Sequence, residues 1–274
     1  MIGLFDSGVG GVAALARLCR KRPGLGCLYM ADTAFLPYGE KDAKTLAARA
    51  EAALAFFRKE GAEAVLFACG TLSAVALPHL CCRDIPVFGV LTPAADAATR
   101  ATRCGRVLVL ATEASVASGA YPSSLALRGV SARQIACPRF VPLCEGGHTD
   151  PDDPLVREAV AATLPPGCEG GADTILLGCT HYAWLAPALR RRFPEASLID
   201  AAASAADACL AALSERAAVS PDTPSGKVHP PSAAESTAEA FGGCRFVCTG
   251  NAPAFARAAS SLLHFPVRAS SVSL

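Results

Sequence analysis

Charge is scarce in this 274-residue chain: Asp, Glu, Lys and Arg make up 18% and nearly cancel, leaving a formal net charge of +1. So even a balance offers no bulk attraction to nucleic acid or to an anionic membrane, and neither is an expected partner. Aromatic residues are few, at 6%, whereas hydrophobic residues reach 52%. That content excludes a disordered chain, because low hydrophobicity with high net charge is what keeps chains unfolded. No CxxC pair occurs among the 13 cysteines, so the usual spacing of structural zinc and of thioredoxin-like redox sites is missing. The opening Met1-Ile2-Gly3-Leu4-Phe5-Asp6 has no basic region ahead of an apolar one. No secretory signal is read there, and the expected compartment is the cytoplasm, where thiols stay reduced.

Most of the cysteines are therefore expected to be buried bystanders. Cys81-Cys82 beside His79, and Cys244 with Cys248, are weak readings for metal, short of the four ligands such sites need. One stretch, Ala64 to Cys82, carries no formal charge and approaches the length of a membrane span. Gly70, Thr71, Ser73, Pro78 and His79 interrupt it, so it reads as a buried strand turning into a buried helix.

What is present is alternation. Ile2–Phe5, Cys27–Met30, Ala64–Ala68, Val87–Leu91, Val107–Ala111, Ile175–Leu177, Ser197–Ile199 and Cys244–Thr249 read as strands. Helical spacing follows at Val12–Lys21, Lys44–Glu60 and Phe255–Leu263. Strands alternating with helices predict an α/β fold, with parallel sheets covered on both faces. Cys144–Pro154 and Ser220–Gly243 read as surface loops from their Gly, Pro and polar content.

Two constellations carry chemistry. Gly8-Val-Gly10-Gly-Val-Ala13 satisfies G-x-G-x-x-G/A, and Asp32 ends the next strand, which leaves open a dinucleotide-binding enzyme with Asp32 on a ribose. The plainer reading is a tight turn that lets helix and strand approach. Separately, Ala64-Val-Leu-Phe-Ala-Cys69-Gly-Thr71 is echoed by Asp173-Thr-Ile-Leu-Leu-Gly-Cys179-Thr180, each with a cysteine just past an apolar strand. Two such α/β halves would aim both thiols at a ligand from the carboxyl ends of their strands. Two facing thiols could remove a proton on one face of a carbon and return one on the other. A Cys179–His181 nucleophile for acyl transfer is the competing chemistry.

These segments resemble the glutamate racemases of the cofactor-independent aspartate/glutamate racemase superfamily. The resemblance rests on Gly3-Leu-Phe-Asp6-Ser7-Gly-Val-Gly-Gly11, Asp32-Thr-Ala-Phe-Leu-Pro37-Tyr38-Gly39-Glu-Lys41, Ala68-Cys69-Gly-Thr71, Cys137-Pro-Arg-Phe-Val-Pro-Leu-Cys-Glu145 and Leu177-Gly-Cys179-Thr180-His181-Tyr182. It implies two pseudo-symmetric doubly wound α/β domains, residues 1–92 with 204–274 and residues 93–203, with the active site in the cleft between them. It implies interconversion of L- and D-glutamate without cofactor or metal, supplying D-glutamate for peptidoglycan, with a homodimer as one option for assembly. Cys69 and Cys179 would be the two catalytic bases, with Asp6, His181 and Glu145 assisting. Asp6, Ser7, Tyr38, Gly39, Gly70, Thr71, Thr180 and His181 would bind the substrate.

The sequence departs from the family pattern at three places. Gly70 stands where the family has Asn, Thr92 where it commonly has Glu, and Ala183-Trp184 where Pro-Leu is usual. These departures keep two alternatives in view: a racemase or isomerase of another acidic compound, and a non-catalytic ligand-binding homologue.

Overall fold

The computed structural model describes residues 1–80, 84–219 and 241–274. Their apolar runs form two sheets. One contains β1 (Ile2–Asp6), β2 (Cys27–Ala31), β3 (Ala64–Phe67), β4 (Val87–Gly89), β9 (Cys244–Cys248) and β10 (Ala269–Ser271), in the order β10-β9-β2-β1-β3-β4. The other contains β5 (Arg106–Ala111), β6 (Ser131–Ala136), β7 (Thr174–Leu177) and β8 (Ser197–Asp200), in the order β6-β5-β7-β8. Every pairing is parallel. Strands buried on both faces, such as the wholly buried β1, β2, β3 and β7, need near-continuous apolar sequence. That is why these four are plain in the chain.

The two sheets are wound alike. From β1 the chain steps to β2 on one side and then to β3 on the other; from β5 it steps to β6 and then to β7. Each reversal opens a crevice at the carboxyl ends of two strands, where open α/β sheets take ligands. Asp6-Ser7 and Cys69 mark this crevice in the first sheet, and Thr112-Glu113 and Cys179 mark it in the second.

Helices cover the sheets. α1 (Val12–Lys21) buries Val12, Leu15, Leu18 and Cys19 and ends in exposed Arg20 and Lys21, the favourable sign at a helix C-terminus. α2 (Ala43–Lys59) is capped by Asp42, which accepts from the Thr45 amide at 2.9 Å. α10 (Ala201–Val219) packs against both α1 and α4 (Leu91–Ala101), tying the layers of the two sheets together. Among the described residues no helix is long and apolar enough to cross a membrane. The uncharged stretch from Ala64 instead forms β3, then α3 (Gly70–Val75) and a 3-10 turn at Leu77–His79.

Some boundaries differ from expectation. The strand expected over Val87–Leu91 ends at Gly89, and Thr92 lies in α4. β6 and β10 are edge strands with polar, half-exposed sequences and no apolar run to announce them. The loop expected over Cys144–Pro154 is shorter at both ends. Cys144 and Glu145 close α7 (Phe140–Glu145), while Pro154 opens α8 (Pro154–Thr163) behind an Asp153 cap. Proline suits the first helical position, where its missing N–H has no intrahelical partner. Cys81-Cys82 and residues 220–240 of the expected Ser220–Gly243 loop lie outside the described residues.

Candidate active site

The crevices of the two sheets face one another and close on a cavity of about 190 Å³. Its wall includes Ser7, Tyr38, Gly39, Cys69, Thr71, Cys179, Thr180 and His181. Asp6, Gly70 and Glu145, which the resemblance placed at the site, stand behind that wall. A hydrogen bond crosses the cleft where Thr71 Oγ1 lies 2.9 Å from Thr112 Oγ1.

Each thiol sits where a strand gives way to a helical turn. Cys69 is the residue before α3, and its Sγ donates to Ser7 Oγ at 3.7 Å. Burial pushes this thiol up to about 12, helped by the Asp6 charge and opposed by the Leu72 and Thr71 amides and by Ser7. Cys179 precedes the 3-10 turn Thr180–Ala183, with His181 Nδ1 at 3.8 Å from its Sγ. Burial raises it well above the ordinary thiol range, against the His181 backbone amide. Both shifts favour the thiol over the thiolate at neutral pH.

Behind each thiol stands a carboxylate. Asp6 Oδ2 accepts from the amides of Gly11 at 2.9 Å and Gly8 at 3.3 Å, and Thr180 Oγ1 reaches Oδ1 at 3.4 Å. Burial lifts this carboxyl to about 6, although His181 and the two amides pull the other way. Glu145 Oε1 lies 2.6 Å from His181 Nε2 and accepts from the Val9 amide at 3.3 Å. Burial would raise Glu145, but the His181 ring and the Val9 amide hold it below the usual carboxylate range.

The glycine motif is explained by this packing. A Cβ at Gly10 would come within 2.5 Å of Thr180 Oγ1 and 2.7 Å of His181 Nδ1, and one at Gly8 would strike Glu145 Oε1. Glycine there lets the β1–α1 turn press against the opposite sheet's catalytic-looking residues. The amides that a pyrophosphate would need are taken by Asp6 and Glu145. Asp32 is equally committed: Arg49 holds it with Nε at 2.9 Å and Nη2 at 2.5 Å, while Tyr38 and Thr249 hydroxyls each donate at 2.6 Å. No acceptor is left for a ribose, so the geometry opposes the dinucleotide reading. The weak metal pair also dissolves, since Cys248 Sγ turns to the Gly250 carbonyl while Cys244 meets Cys19.

The sequence model of the Asp/Glu/hydantoin racemases matches residues 4–209. The chain belongs to this racemase family. A glutamate racemase of Gloeobacter violaceus is 36% identical over 277 aligned positions, spanning 100% of this chain and 96% of that protein. One from Desulforudis audaxviator is 40% identical over 207 positions, 74% of this chain and 75% of its own. The crystal structure of the Thermus thermophilus glutamate racemase in complex with β-chloro-D-alanine superposes with a TM-score of 0.80 at 33% identity. It spans 100% of this chain and 96% of its own. Membership makes the protein an isomerase of the amino-acid racemase kind.

In this racemase the cavity wall also holds Thr112 and Glu113, which motif reading passed over, and Cys137, Pro138, Val141 and Pro142 of the quoted Cys137–Glu145 segment, which it gave no substrate role. A signal for the first two was available. Ala111-Thr112-Glu113 leaves β5 as Phe5-Asp6-Ser7 leaves β1, and Thr112 caps α5 (Glu113–Ser118) by accepting from the Ser115 amide at 3.3 Å. Among the described residues no Lys or Arg lines this cavity, so hydroxyls and backbone amides are the donors they offer to an anionic ligand.

Proposed function

We propose that the protein racemises glutamate by proton transfer at Cα between Cys69 and Cys179, with no cofactor. The observation that carries this reading is the placing of two buried thiols on one cavity wall, each at the end of the corresponding strand of its sheet. One thiolate takes the α-proton from one face, the electron pair moves onto the α-carboxylate, and the opposite thiol delivers its proton to the other face. The two cysteines thereby exchange protonation states, ready for the reverse direction.

The ammonium of the incoming amino acid brings positive charge into the cavity and favours thiolate there. Asp6 beside Cys69, and His181 beside Cys179, are the local groups to accept a thiol proton. Glu145 orients His181. Hydroxyls of Ser7, Thr71 and Thr180, with backbone groups at Gly39 and Gly70, suit the carboxylates; charge developing on the α-carboxylate is best met by donors already in place. Tyr38 contributes its ring, because its hydroxyl is committed to Asp32.

The division into residues 1–92 with 204–274 and residues 93–203 is supported by the strands, since each sheet draws only from one of these sets. A cytoplasmic role supplying D-glutamate for peptidoglycan, as a homodimer, completes the reading. The test is proton NMR of the enzyme with D- and L-glutamate in D₂O, with chiral analysis of the same samples. Loss of the α-proton from both enantiomers with inversion is expected, and neither Cys69→Ala nor Cys179→Ala should racemise. Inert wild-type protein with reduced thiols would overturn the glutamate reading in favour of another acid or of ligand binding alone.

A further inference from the structure

Three other cysteines converge at the far end of the first sheet. Cys27 opens β2 and Cys244 opens β9, and the two are register partners in the parallel pair, so their side chains leave the same face. α1 crosses that face and adds Cys19 near its C-terminal end. All three Sγ atoms lie within 4.8 Å of one another, and those of Cys19 and Cys244 are 3.4 Å apart. Cys19 and Cys27 are buried, while Cys244 is half-buried and opens the cluster to solvent.

This arrangement suits a thiolate-seeking metal ion. Sulfur atoms each about 2.3 Å from a shared ion would be about 3.8–4.0 Å apart, whether tetrahedral or trigonal. The Cys19–Cys244 pair is a little closer than that and no pair is farther apart than 4.8 Å, so small side-chain adjustments would reach it. Soft thiolate ligands select Cu(I) and Zn(II) over hard cations.

We propose that Cys19, Cys27 and Cys244 form a trithiolate site for a soft d10 cation, Cu(I) or Zn(II), independent of the racemase cleft. Binding forms three metal–sulfur bonds and releases the thiol protons of the ligating cysteines to solvent; the metal keeps its oxidation state. The ion would join α1, β2 and β9 at the amino ends of the strands. The cleft lies at their carboxyl ends, so the metal-free protein should still racemise.

The experiment titrates reduced, metal-free protein with Cu(I), and separately with Zn(II), in competition with a chromophoric chelator. Wild type is compared with Cys244→Ser, whose hydroxyl stays half-exposed, and with Cys27→Ala; racemase activity and thermal midpoint show that each variant folds. The expected result is one equivalent per chain held by wild type and bound roughly a hundredfold or more weakly by both variants. The midpoint should rise with metal in wild type alone. Whichever ion competes better identifies the occupant. Equal binding by folded variants and wild type, or no binding of either ion, would overturn the site.

Discussion

Glu145 and His181 lie 36 residues apart, on either side of β7, yet meet at 2.6 Å, Oε1 to Nε2, which leaves His181 Nδ1 facing Cys179 Sγ at 3.8 Å. A carboxylate on one ring nitrogen fixes which way the imidazole points. The ring is 2% exposed, so solvent cannot replace that partner.

Glu145→Gln should therefore weaken catalysis while keeping the fold. A hydrogen bond to a charged group contributes about 1.5–3 kcal/mol, so kcat/KM should drop by roughly ten- to a hundredfold. The loss must be equal from D- and L-glutamate, because two enantiomers have an equilibrium constant of one. Any asymmetry must appear in kcat and KM together, in the same ratio. Steady-state kinetics in both directions check this, and an unchanged kcat/KM would remove Glu145 from the mechanism.

Asp6 predicts a pH dependence of stability. Its carboxyl is raised from 3.8 to about 6 on folding, so the folded protein binds more protons than the unfolded chain between those values. Stability from this group is thus lost as pH rises from about 4 to about 6, by about 3 kcal/mol. Asp6→Asn keeps an oxygen for the Gly8 and Gly11 amides and removes the buried charge. The variant should gain stability over wild type as pH rises through this window, while losing activity. Urea unfolding of both proteins at about pH 4.5 and about pH 7.5 is the check; a difference that does not move with pH would contradict the assignment.

Gly70 predicts a steric limit. A Cβ at this position would land on the carbonyl oxygen of Gly178, and that strand end cannot retreat. Its amide donates to Leu110 at 2.8 Å and its carbonyl accepts from Tyr121 at 3.1 Å. Gly70→Ala should cost roughly 1–3 kcal/mol by overpacking or hold the cleft open, raising KM. Gly70→Asn, the residue common in the family, should be no better. Thermal melts and kinetics would show this, and an Asn variant with lower KM would refute it.

Asp32 predicts a structural rather than a cofactor role. It is fully buried, and Arg49 is its charged partner. Removing one partner of a buried pair costs about 3–5 kcal/mol, so Asp32→Ala should lower the urea midpoint sharply and loosen Tyr38. Wild-type protein should show no thermal shift with NAD; a shift abolished by Asp32→Ala would revive the dinucleotide reading.

The sequence alone determined the layered α/β class, because buried parallel strands must be apolar throughout and β1, β2, β3 and β7 could be nothing else. It also singled out Cys69 and Cys179, since a cysteine just past such a strand is bound to emerge at a carboxyl end. Edge strands β6 and β10 escaped notice because one exposed side frees their composition. Only the tertiary structure decided what the glycines and Asp32 do. Gly8 and Gly10 obey a phosphate-binding pattern, yet the space beside them and beside Gly11 is filled by Glu145, His181 and Asp6, groups contributed from both sheets. Asp32 lies at the position of a ribose ligand but is consumed by Arg49, Tyr38 and Thr249. A local motif specifies backbone freedom and side-chain type; what occupies that freedom depends on residues far away in the chain, and their arrival is set by how the two sheets close on one another.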